Sequence, residues 1–151
     1  MKKIILFLMC TLLLSACAKT NTLHTFSVDA RTKDVALENL VIVAGEEHLY
    51  IQPTYQLFAI QHSNSGTADL VQEVGIGLYD ENNTLLYSFS MGGNQEGFLD
   101  TRTTPLEGEL IGTIVPAKNF ETGQKLIVEF TYEKNNQEIR EKITVPLQEK
   151  N

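Results

Sequence analysis

From Leu126 to Leu147 apolar and polar residues alternate almost one by one, and this period of two constrains the chain more than any other feature in it. Successive side chains of an extended strand point to opposite faces. Leu126, Val128, Phe130 and Tyr132 therefore share one face, with Ile127, Glu129 and Thr131 on the other. Lys134-Asn135-Asn136-Gln137 supplies turn residues that tolerate left-handed backbone. Ile139, Ile143, Val145 and Leu147 then return, with Arg140, Lys142 and Thr144 outward. Glu141 falls on the inner face, where it needs an edge position or a polar neighbour. A helix would instead space its apolar residues by three and four. A hairpin with one apolar face must bury it against a second layer.

The same period recurs upstream. Val74, Ile76 and Leu78 share a face, Asp80-Glu81-Asn82-Asn83 turns the chain, and Leu85, Tyr87, Phe89 and Met91 alternate back. Leu110 to Val115 reads as a strand stopped at Pro116. Leu49 to Ile51 and Tyr55 to Ile60 make one long strand or two, interrupted at Pro53, since proline lacks a ladder donor. In Val35 to Ala44 the Leu37/Leu40 spacing allows a helical turn, whereas Val41-Ile42-Val43 is strand-like. Residues 18–34 are polar apart from Leu23, Phe26 and Val28, and read as a tether that ends in a first strand at most.

About seven short strands punctuated by turns predict an all-β, antiparallel sandwich. From about residue 107 to 148, the stretch Asn119-Phe120-Glu121-Thr122-Gly123-Gln124-Lys125-Leu126 with its following hairpin resembles the last third of immunoglobulin-like or fibronectin-type surface modules. The expected fold is therefore an immunoglobulin-like β-sandwich, with a small β-barrel as the alternative. The core tryptophan and paired cysteines of antibody domains are missing, since the chain has no Trp and only two Cys.

The N-terminus has a different pattern. Lys2 and Lys3 precede an apolar run from Ile4 to Leu14, broken only by Thr11. This is the build of a secretory signal peptide. The run is far short of the roughly 20 residues that a membrane-spanning helix needs. It closes in Leu14-Ser15-Ala16-Cys17, which resembles the lipobox of bacterial lipoproteins. The resemblance implies cleavage between Ala16 and Cys17 and a diacylglyceryl thioether on the Cys17 thiol. Two acyl chains anchor stably where one binds marginally. The expected organisation is a signal peptide over 1–16, a lipidated N-terminus and tether over 17–34, and the sandwich over 35–148. The expected location is the cell membrane or outer membrane, exported and lipid-anchored.

With residues 1–16 removed, 10 basic and 19 acidic side chains remain, a formal charge of −9. Such a surface is unsuited to nucleic acid and to anionic lipid. Cys10 leaves with the leader and Cys17 is consumed by lipid, so the mature domain has no disulfide, thiol nucleophile or thiolate metal site. His24, His48 and His62 show no metal-ligand spacing, and no cofactor motif is present. Asp80-Glu81-Asn82-Asn83 lacks the spacing of a calcium loop. No G-x-S-x-G elbow exists, and Ser88 and Ser90 fall on the outer face of a strand. Two carboxylates brought together in space remain open as a hydrolytic pair.

The polar segment from Gly92 to Glu109 is long for a connection inside a compact domain, and such links are often functional. Gly92, Gly93, Phe98 and Arg102 mark it as the candidate interaction loop. The leading expectation is a non-catalytic protein-interaction module of the cell envelope. Its partners are the membrane, through lipid on Cys17, and an envelope protein. A small-ligand or ion-binding lipoprotein is the alternative, and a carboxylate-dependent hydrolase is a third reading.

Overall fold

A computed structural model of the chain describes residues 22–52, 55–60, 71–92, 113–116 and 120–150. In chain order its strands are β1 (His24–Arg31), β2 (Val35–Ala44), β3 (His48–Ile51), β4 (Gln56–Ala59), β5 (Val71–Tyr79), β6 (Leu85–Met91), β7 (Thr113–Pro116), β8 (Lys125–Lys134), β9 (Gln137–Pro146) and β10 (Gln148–Glu149). They form two antiparallel sheets. One runs β10-β1-β2-β3-β7, with β4 also on β2; the other runs β6-β5-β8-β9. Neither sheet closes on itself, so the architecture is an open sandwich and not a barrel.

The order β6-β5-β8-β9 is that of the C′-C-F-G sheet of immunoglobulin-like modules. The opposite sheet departs from that pattern. There β3 and β4 run successively along one side of β2, pairing Ile42 with Ile51 and Leu37 with Leu57. They behave as one interrupted strand along β2, of which only β3 continues to β7.

The segment expected to be tether carries a strand. β1 lies inside its sheet between β2 and β10, with the Phe26 and Val28 side chains fully buried. The domain thus begins before Val35. The buried side chains of β1 are Phe26, Val28 and the small Ala30 among polar residues, too weak a periodic signal to stand out.

The core joins the inward faces of both sheets: Phe26, Leu37, Leu40 and Ile42 from one, Ile76, Leu78, Leu126, Val128 and Phe130 from the other. β2 is a strand throughout, and its helix-like Leu37/Leu40 spacing has a specific cause. Val28 pairs with Leu40 and Ala30 with Leu37, so Asp29 faces both Glu38 and Asn39. This is a β-bulge, one extra residue that resets the alternation. Asn39 takes φ 60°, and its N–H donates to Asp29 Oδ1 at 2.7 Å.

A second bulge lies in β6, where Leu78 pairs with Tyr87 but Tyr79 with Leu85. Leu86 is the extra residue. It packs against the core, while Leu85, expected to face inward, is 52% exposed. Among the described residues the positive-φ non-glycine residues are all asparagines: Asn39, Asn83, Asn135 and Asn136. Their short amides make this backbone tolerable. Asn135 and Asn136 form the two-residue turn of the β8–β9 hairpin, as the sequence predicts.

A polar tie links the sheets. Asp34, buried in the β1–β2 turn, accepts from Lys134 Nζ at 2.6 Å. The Tyr132 hydroxyl lies 3.2 Å from Asp34 Oδ2 and 3.3 Å from Glu141 Oε2, so its one proton is offered to either carboxylate. Glu141 is thereby accommodated on the inner side of β9, an edge strand, with a polar partner.

Replacing Asn39 with valine forces a β-branched residue into left-handed backbone. Stability should fall by about 1–2 kcal/mol, whereas Asn39→Gly should stay close to the wild type. Urea unfolding of the lipid-free domain measures both.

Candidate interaction surface

Of the residues marked from sequence, Ala16, Cys17, Gly93, Phe98 and Arg102 lie outside the described residues, as does His62. Gly92 directly follows β6, is exposed, and has open space around the position of a Cβ. The candidate loop therefore starts from the end of an edge strand.

A sheet edge presents unpaired N–H and C=O groups on which another strand can build, and most proteins blunt such edges. Among the described residues five strands have a neighbour on one side only. β4 has four residues. β10 has two residues. β7 has four and ends in Pro116. β9 is long but alternates Glu138, Arg140 and Lys142 on its outer side. β6, Leu85–Met91, has seven residues with no charge, glycine or proline. Brevity, proline or charge thus blunts the other four edges, whereas β6 is longer and uncharged and has only the bulge at Leu86, near its start.

Aromatic packing holds the inner face of β6. Phe89 lies 4.8 Å from Tyr55 and 5.5 Å from Tyr87, ring centroid to centroid. Tyr55 immediately precedes β4, so the contact bridges the sheets. Such ring pairs add about 0.5–1.5 kcal/mol beyond area burial. Ser88 and Ser90, on the outer face, pair with Gly77 and Gly75. Beside them Tyr79 folds over Gly77 so closely that a Cβ there would lie 2.8 Å from its Cε2. The Tyr79 hydroxyl donates to Glu129 Oε1 at 3.1 Å, and Lys142 Nζ sits 4.7 Å from the ring centroid. Hydrogen bonding to Glu129 pushes the Tyr79 phenol up, with burial adding to it.

The carboxylates that do come together are Asp34 and Glu141, around Tyr132. Asp34 is buried and ion-paired with Lys134, an arrangement suited to joining the sheets. Burial above all, then the charges of Asp34 and Glu141, push the Tyr132 phenol up. In the Asp80 turn, the carboxylate accepts from the N–H groups of Asn82 at 2.9 Å and Thr84 at 2.7 Å. Those oxygens serve the hairpin. His24 is in β1, its Nδ1 3.0 Å from Glu149 Oε1, and His48 opens β3. Among the described residues no group of three or more His, Cys, Asp or Glu side chains is placed to hold a metal ion.

Two open clefts adjoin the Gly45–Glu47 turn. One, of about 450 Å³, is lined by Leu23, Val43, Tyr50 and Ile114 together with Glu46, Glu47 and His48. The other, of about 330 Å³, includes His24, Phe120 and Glu121 and shares Glu46 and Glu47. Sequence reading missed this region, because its apolar members come from four separate segments.

No family model matches the chain, and no curated protein matches it. A β-glucuronidase of Parabacteroides merdae is a similar solved structure, with 8% identity and a TM-score of 0.42. The likeness covers 82% of this chain but only 13% of that one.

The Tyr55 phenol is pushed up from 10.0 to about 12, mainly by burial and then by Tyr87. Between these values the unfolded chain has released a proton that the folded chain retains. The resulting stability is whole below about pH 10 and is lost as pH rises towards 12; Tyr132 acts in the same direction. Denaturant melts across this range should show a shallower decline for Tyr55→Phe than for the wild type.

Proposed function

We propose that this chain is a surface lipoprotein, anchored through Cys17, whose sandwich acts as a non-catalytic docking module for an envelope protein. The partner adds an extended strand to β6. The observation that carries the reading is the long, uncharged β6 edge beside four others that are short, charged or ended by proline. Main-chain hydrogen bonds at such an edge supply affinity, and alternate side chains supply selectivity. The Tyr55–Phe89 contact holds β6 in place before a partner arrives, which lowers the entropy lost on binding. The Gly92–Glu109 segment follows β6 directly in the chain.

Location narrows the partner further. Seven residue steps separate Cys17 from His24, where β1 starts. At about 3.3–3.6 Å per step they span at most about 25 Å. The domain is therefore held close to the lipid headgroups, and its partner sits in or beside the same membrane.

Two expected outcomes test this reading. Cys17→Ser should move the protein out of the membrane fraction and abolish labelling by a fatty-acid analogue; unchanged membrane retention and labelling would remove the anchor. For docking, in-cell photo-cross-linking with mass spectrometry compares the wild type with Ser88→Lys/Ser90→Lys, which blunts β6. Thr144→Lys on the β9 edge serves as control. At equal abundance and matched melting temperature, one envelope protein should be captured by the wild type and by Thr144→Lys. It should be lost from the β6 variant. Capture that survives blunting of β6 refutes docking at this edge.

A further inference from the structure

Of the four large apolar side chains exposed among the described residues, three gather in one place. Leu23 is 68% exposed, Ile114 66% and Tyr50 38%. Strand register explains the grouping. Val43 pairs with Tyr50 and Tyr50 with Ile114, so these side chains stand in one row across the outer face of β2, β3 and β7. Leu23 closes the row from before β1, lying against Gly45, where its Cδ2 is 3.5 Å from the position of a Cβ. All four residues line the open cleft of about 450 Å³. Single exposed apolar residues are ordinary on a surface, whereas a contiguous group marks a contact. Leu23 also fixes where this group lies relative to the N-terminus. It is six residue steps from Cys17, at most about 22 Å of extended chain at about 3.3–3.6 Å per step.

We infer that this row is a membrane-resting face, seated on the headgroup–acyl boundary of the bilayer that holds Cys17. The inference rests on the proposed anchor at Cys17, and not on docking at β6. Tether length selects the bilayer over other occupants. The lipid-bearing end of the chain leaves the domain at Leu23, itself a member of the row, so the face beside the anchor is the one that meets the lipid. Linkage makes that contact intramolecular, and a short link gives a high effective concentration. A modest apolar contact then suffices, where a free partner would have to bind from solution. The residue types suit the boundary. Leu23, Val43 and Ile114 meet the acyl side, and the amphipathic Tyr50 ring sits at headgroup level. Attraction to anionic lipid plays no part, since the mature chain carries a formal −9. With this face on the bilayer, the opposite sheet and its β6 edge stay open to a partner.

The chain has no tryptophan, so one introduced indole reports its own surroundings. The lipoprotein carrying Ile114→Trp is reconstituted into phosphatidylcholine vesicles. Thr144→Trp, on the outer side of β9 in the other sheet, is the control. Emission of the Ile114→Trp variant should shift to the blue relative to its unlipidated Cys17→Ser form in buffer. Brominated acyl chains should quench it at least about twofold more than Thr144→Trp, as for an indole at the membrane interface. Adding Leu23→Ser and Tyr50→Ser, at matched melting temperature, should remove most of that quenching. Equal quenching of the two indoles, or none, overturns the inference, while flotation with the vesicles shows that the anchor holds. A blue shift without bromine quenching also overturns it, since a second copy or another protein surface then covers the row. Failure of the anchor is seen separately, as protein that does not float with the vesicles. The chain from Cys17, after which no cysteine follows, is then coupled through that thiol to a maleimide phospholipid. The same readings decide the face at the same tether length.

Discussion

Two apolar sheet faces must be buried against each other with no covalent link to help, because no cysteine follows Cys17. Everything else in the domain depends on that contact. Phe26, Leu37, Leu40 and Ile42 on one side meet Ile76, Val128 and Phe130 on the other, all with less than 3% of their surface exposed. At about 25 cal/mol per Å² of apolar surface removed from water, this burial is the main force opposing chain entropy. Such packing is non-directional and would tolerate some sliding of the sheets. The buried Asp34–Lys134 pair and the Tyr132 hydroxyl supply direction, since their hydrogen bonds are met in one alignment only. A buried pair of this kind is weak evidence for added stability; here it fixes how the β1–β2 turn sits on the β8–β9 hairpin.

An open sandwich leaves edges, and this one treats its edges unequally. Brevity at β10, a terminal proline at β7 and charges along β9 all discourage further pairing. β6 receives none of these, although aromatic contacts hold its inner face rigidly. The outer face of the other sheet breaks the usual rule differently, with an apolar row where polar side chains are customary. These two departures lie on different sheets and have different chemistry, backbone pairing in one and apolar contact in the other.

The two hairpins were legible because each has an uninterrupted alternation closed by asparagine-rich turns, and local sequence sets both properties. The features that escaped are those that break the period. A bulge at Asn39 makes β2 look helical between Leu37 and Leu40. Another at Leu86 turns Leu85 out and Leu86 in. One inserted residue reverses every later side chain, and the insertion shows only against the partner strand. β1 was hidden for a related reason: its burial is imposed by β2 and β10 on either side. The uncharged stretch of β6 could be read from sequence, but nothing local says that it is an edge.

By itself the sequence determined the class of fold, the two hairpins and their turns, the net acidic charge and the lack of any cysteine after Cys17. It also carries the lipobox-like Leu14–Cys17 on which the proposed anchor rests. These are local or compositional properties, set by periodicity, turn chemistry and counting. Tertiary structure alone decided that β1 belongs to the domain, that β3 and β4 share one side of β2 with only β3 reaching β7, and which strands are left as edges. It also brought Leu23, Tyr50 and Ile114 together beside Glu46 and Glu47. Strand neighbours are chosen by burial across the whole sandwich, a collective property that no segment carries alone.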